Sequence, residues 1–132
     1  MMRLSALALL ALLAASAPAL AEPLTVHTGE TWLFTLDHGE PVHARKADSR
    51  ASPDRGEVKV TVRALFGTMM TISSNNSEGY TFEAQLVGAD GKAVTTRTCT
   101  LPPGNQPALE SWQKKASAVR ISNFKPATGG RC

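Results

Sequence analysis

Residues 57–65 carry the clearest alternation in the chain: Val58, Val60, Val62 and Ala64 fall on one side, and Glu57, Lys59, Thr61 and Arg63 on the other. A period of two is the rhythm of a strand; wound as a helix, the same apolar residues would split between two sides. The segment is therefore a β-strand with one dry and one wet face, and the dry face needs a second layer to cover it. The rhythm recurs. Trp32, Phe34 and Leu36 share a side, as do Val42 and Ala44 against His43 and Arg45. Tyr80, Phe82, Ala84 and Leu86 oppose Thr81, Glu83 and Gln85. Residues 92–98 and 118–124 are shorter candidates, the second with Val119 and Ile121 inward.

Turn residues separate these runs: His38-Gly39, Phe66-Gly67, Asn75-Asn76-Ser77 and Asp90-Gly91. A slip of one residue would turn a strand inside out, so apolar residues must meet apolar residues across each turn. On that rule Leu36 pairs with Val42, Val62 with Ile72, Ala64 with Met70, Ile72 with Tyr80, Met70 with Phe82, and Leu86 with Val94. The pattern predicts a four-strand meander preceded by a separate hairpin. The polar stretch 47–56 is expected to cross between sheets, and 101–116 to be a loop with one helical turn from Pro107. The fold class expected is all-β, a small two-sheet antiparallel β-sandwich of immunoglobulin-like architecture, with a small β-barrel as the alternative. The Cys-Trp-Cys spacing of antibody domains is missing.

The first 21 residues read as a secretory signal peptide. Arg3 supplies the positive start, 4–13 is a run of Leu and Ala broken only by Ser5, and Ala19-Leu20-Ala21 forms a small-x-small cleavage site. The apolar run is too short for a comfortable membrane span, and no cysteine follows it to carry a lipid. Of the 132 residues, 22–132 then form a single domain, 111 residues long, exported to the periplasm or the extracellular medium, with no stable membrane insertion after cleavage. In such a compartment the two cysteines, Cys99 and Cys132, are expected to form a disulfide.

Chemistry is harder to find. His27, His38 and His43 lie near Asp37 and Glu40, residue types that hold copper or zinc outside the cytoplasm. They read first as solvated surface histidines, with a periplasmic metal-handling role as the alternative. Met69 and Met70 are adjacent on a strand, so they point to opposite sides and cannot share one ion. No nucleophile elbow, zinc-protease helix or phosphate-cradling glycine loop is present, and nothing calls for a cofactor. An enzyme is not expected. Arg45, Lys46, Arg50 and Arg55 are interrupted by Asp48 and Asp54 and lack interleaved aromatic residues, so nucleic acid is not an expected partner. Leu65, Phe66 and Met69 sit at one hairpin tip on the outward side. They form a possible partner patch unless the second sheet or 101–116 covers them. The reading is an exported, non-catalytic protein with a binding or envelope-supporting role, its partner an unknown protein or envelope component. One form of it is an inhibitor of an extracytoplasmic hydrolase, inserting either the 47–56 loop or the 66–67 tip into the enzyme's cleft.

Overall fold

The computed structural model describes residues 22–130 and 132, so residues 1–21, expected from sequence to be a signal peptide, lie outside the described residues. Among the described residues, nine antiparallel strands form two sheets, and there is no helix. They are β1 (Leu24–His27), β2 (Thr31–Asp37), β3 (Glu40–Ala47), β4 (Val58–Arg63), β5 (Thr68–Ser74), β6 (Gly79–Val87), β7 (Ala93–Thr96), β8 (Ala108–Trp112) and β9 (Ala118–Ala127). One sheet has the order β1-β9-β6-β7, the other β3-β2-β4-β5-β8. The sheets do not close into a barrel; they are the layers of a small β-sandwich.

The core is built from the inward residues that alternation identifies. Val58, Val60 and Val62 of β4, Met70 and Ile72 of β5, and Phe34 of β2 meet Val26, Phe82, Ala84, Leu86, Val119 and Ile121 from the opposite sheet. Phe124 joins the layers: its ring stacks on Phe82 at 5.2 Å between centroids and takes edge contacts with Phe34 at 5.8 Å and Tyr80 at 6.3 Å. Such ring pairs add about 0.5–1.5 kcal/mol each beyond their buried area.

The meander does not form. β4 pairs with β5, but β5 and β6 lie in different sheets. Their inward side chains face each other across the core, whereas the sequence reading set them side by side, and the inside-outside rule allows either. Side-chain amides at the turn hold the chain in its real course. Asn75 Nδ2 donates to the Pro53 carbonyl at 3.0 Å, and Asn76 Nδ2 to the Gly56 carbonyl at 3.3 Å and Ser74 Oγ at 2.9 Å. These bonds tie the end of β5 to the segment before β4, and the chain crosses to the other layer.

The β4–β5 pairing is Val62 with Met70 and Val60 with Ile72, two residues from the expected register. An even shift keeps every strand residue on its expected side, but it leaves Ala64 exposed in the tip. Leu86 does pair with Val94. Between β2 and β3, Leu36 pairs with Pro41 rather than Val42. The turn is a two-residue one, with His38 at φ 50° and Gly39 at φ 81°, the backbone that a tight hairpin demands. A bulge then sets His43 and Ala44 against Phe34, and Ala44 is exposed.

Two connections also differ from expectation. Segment 48–56 joins β3 to β4 within one sheet. It lies against that sheet's outer face, where Lys59 Nζ donates to the Ser49 carbonyl. Leu33, opposite Lys59 in the ladder, is only 1% exposed there. Residues 108–112 are an edge strand, not a helical turn. Gly104 and Asn105 both take positive φ and donate their N–H groups to the Asn76 and Ser74 carbonyls, which bends the chain into line with β5.

Candidate functional site

The β4–β5 tip is the most exposed apolar feature among the described residues. Phe66 is 95% exposed, Leu65 45% and Leu109 59%. Met69 is half-buried. Leu109 stands opposite Thr71 on the neighbouring edge strand, on the same outer face as Met69. Of the residues singled out in the sequence, Leu65 and Phe66 are thus open and Met69 is half-buried, and Leu109 lies on the outer face beside them. Leu109 lies in the stretch 101–116, expected from sequence to be a loop with one helical turn, where no alternation assigns it a face.

The tip is firmly built. Phe66 has φ 49° and Gly67 φ 111°. A Cβ at Gly67 would collide with the carbonyl oxygens of Trp112 and Gln113, so the turn presses directly on the end of β8. Below it, Thr68 is fully buried. Its Oγ1 donates to the Lys114 carbonyl at 2.8 Å and accepts from Ala116 N–H at 2.9 Å. The aromatic ring is therefore carried outward on a backbone whose conformation is fixed by neighbouring strands.

The 47–56 loop is built differently. Arg45 donates to both oxygens of Glu57 at 3.0 and 3.2 Å, and Glu57 also accepts from Asp54 N–H at 2.9 Å. Lys46 pairs with Glu30 at 2.7 Å. Two of the cations read as a basic run are spent on structural ion pairs, and the loop is held against the sheet. Burial alone would raise the Glu30 carboxyl. Hydrogen bonds from Lys46, the His27 N–H, the Trp32 indole and the His27 ring outweigh it and hold the group at about 2.

The histidines do not assemble. His27 bonds Glu30 at 3.2 Å, His38 at the β2–β3 turn meets Asp37 at 2.7 Å, and His43 is exposed in the β3 bulge. No group of three or more His, Cys, Asp or Glu able to hold a metal occurs among the described residues. Cys99 and Cys132 are bonded, with Cα atoms 4.8 Å apart. Glu110 points inward beside them and accepts from Cys99 N–H. Burial raises its carboxyl, and that hydrogen bond opposes the rise.

Two concavities lie elsewhere on the surface of the described residues. One, of about 720 Å³, lies at one end of the sandwich between Glu78, Leu101, Pro102, Pro103 and Pro126. The other, of about 360 Å³, lies on the outer face of the five-stranded sheet over Lys59, Thr61, Arg63, Thr71 and Ser73. No helix among the described residues is long and apolar enough to cross a membrane. No protein-family model, curated protein or solved structure matches the chain.

Proposed function

We propose that this chain is an exported, non-catalytic binding protein that inserts its β4–β5 tip into an apolar pocket of a partner protein. The cleft of an extracytoplasmic hydrolase is the partner class of choice. The reading is carried by one observation: Phe66, 95% exposed, on a turn locked by Gly67 and Thr68. An exposed aromatic residue in water gains roughly 2–3 kcal/mol when fully buried. Fixing the loop beforehand removes the ordering cost that a flexible loop would meet on binding. Aromatic anchors of this kind dominate interface energetics. Among the two inhibitory loops expected from sequence, the tip is favoured because 47–56 is engaged with its own sheet.

Cross-linking in living cells tests this. A photoreactive phenylalanine analogue at position 66 is expected to yield one discrete adduct, and the same analogue at exposed Thr95 of β7 none. With the partner in hand, Phe66→Ala should weaken binding by about 2 kcal/mol, roughly thirtyfold. Identical adduct patterns at the two positions, or none at either, would reject the proposal.

A further inference from the structure

The outer face of the five-stranded sheet carries a second site of a different chemical character. Lys59, Thr61 and Arg63 project from β4 on this face, and Thr71 and Ser73 from β5 beside them, with Lys59 opposite Ser73 and Thr61 opposite Thr71. Ser49 forms one wall of the groove, and Asn105 and Pro107 another. The lining therefore holds two cations, four hydroxyls and one amide, and no carboxylate. Elsewhere on this sheet cations are matched: Arg45 by Glu57 and Lys46 by Glu30. In the groove they are not. Lys59 donates only to the neutral Ser49 carbonyl, and Arg63 has no hydrogen-bond or ion-pair partner among the described residues.

We infer that this groove binds a linear anionic polysaccharide lying along β4. The order of groups selects the ligand. Two positive charges stand four residues apart on one strand face, roughly 13 Å by strand rise. Neutral hydroxyls fill the interval and the neighbouring strand. A ligand that matches has acidic groups at intervals, separated by hydroxyl-bearing rings. The guanidinium of Arg63 suits a carboxylate or sulfate in a two-pronged bond, and the Lys59 ammonium suits a point contact. Thr71 and Ser73 can donate to or accept from sugar hydroxyls, and Thr61, already bonded to Thr31 Oγ1 at 2.8 Å, can still accept one bond more. No aromatic side chain lines the groove, so a single-stranded nucleic acid would find phosphate contacts and no stacking platform. The groove shares no residue with the apolar tip, although it adjoins it: Arg63 is the ladder partner of Met69, and Thr71 that of Leu109.

The test is titration calorimetry of the mature protein, disulfide intact, with four probes: polygalacturonate, dextran sulfate, neutral dextran and a single-stranded oligonucleotide. Binding is expected for polygalacturonate or dextran sulfate and not for neutral dextran. Arg63→Gln should weaken it about tenfold, as loss of a charge-assisted hydrogen bond does. The slope of log affinity against log salt should fall by about one. Lys59→Gln should act in the same direction. Lys92→Gln carries the same change in net charge at an exposed turn far along the chain, and it should alter affinity less than about twofold. Unchanged circular dichroism confirms that each variant is folded. Three results would overturn the inference: no heat with either polyanion at low salt, an equal loss in Lys92→Gln, or oligonucleotide binding as tight as the polysaccharides.

Discussion

Replacing Thr68 with valine preserves size and β-branching and removes a single oxygen. That oxygen carries two hydrogen bonds, to the Lys114 carbonyl at 2.8 Å and from Ala116 N–H at 2.9 Å. Lys114 is exposed, so its carbonyl can turn to water. Ala116 is buried, and its N–H would be left without an acceptor. An unsatisfied buried donor costs about 1–3 kcal/mol, and the lost bond to Lys114 adds about 0.5–1.5 kcal/mol. The valine methyl would sit against the Lys114 carbonyl and the Ala116 N–H, so burying it returns little of this. The expected net loss is about 2 kcal/mol. Urea unfolding followed by circular dichroism and by tryptophan fluorescence measures it well, because Trp112 is the ladder partner of Thr68. At a typical urea dependence for a small domain, the midpoint should fall by roughly 1–2 M with an unchanged slope. Thr68→Ser keeps the oxygen and loses one methyl, for about 1 kcal/mol. A valine variant within about 0.5 kcal/mol of wild type would refute the reasoning, as would a serine variant that is the more damaged of the two.

Glu30→Gln should flatten acid unfolding. The Glu30 carboxyl, held at about 2, contributes stability that is complete above its ordinary 4.5 and lost as pH falls through about 2. With 20% of the side chain in water, the loss at pH 7 should be about 1–2 kcal/mol, well below what the shift would carry in a sealed site. Glu110 has the opposite sign. Its raised carboxyl keeps a proton longer in the folded state, so stability falls as pH climbs from the ordinary carboxylate value through the raised one. Glu110→Gln should remove that fall while still accepting from Cys99 N–H, read as a urea midpoint that no longer declines over that window. Removing the disulfide by Cys99→Ser with Cys132→Ser opens a link across 33 residues, and should cost about 3–4 kcal/mol in the same urea assay.

The dry faces of β2, β4, β6 and β9 were legible because alternation reports burial directly. Val58 and Phe82 could sit nowhere else. Strand partnership was not legible, because Ile72 and Tyr80 obey the same inside-outside rule whether they lie side by side or across the core. Edge strand β8 was hidden by a mixed pattern: Ala108 and Trp112 turn inward, but the residue between them on that side is Glu110, and Leu109 faces outward. Leu33 breaks the rule for another reason, since its outward side lies where segment 48–56 is tied to the sheet. The tip residues Leu65, Phe66 and Met69 were visible from sequence as a patch, but their exposure depended on what covered them. Backbone strain at Phe66 and the bonds of Thr68 leave no trace in hydrophobic pattern. The anion groove needs Ser49, Asn105 and Pro107 brought over β4 from distant parts of the chain, which no local pattern encodes.

The account rests on an aromatic side chain held out in water by a turn that does not move. Backbone nitrogen relaxation at Phe66 and Gly67 in the free protein tests it most directly. Order parameters near 0.85, equal to those of the flanking strands, are the predicted result. Values below about 0.6 at both positions would show a flexible loop and contradict the claim of a prepared anchor.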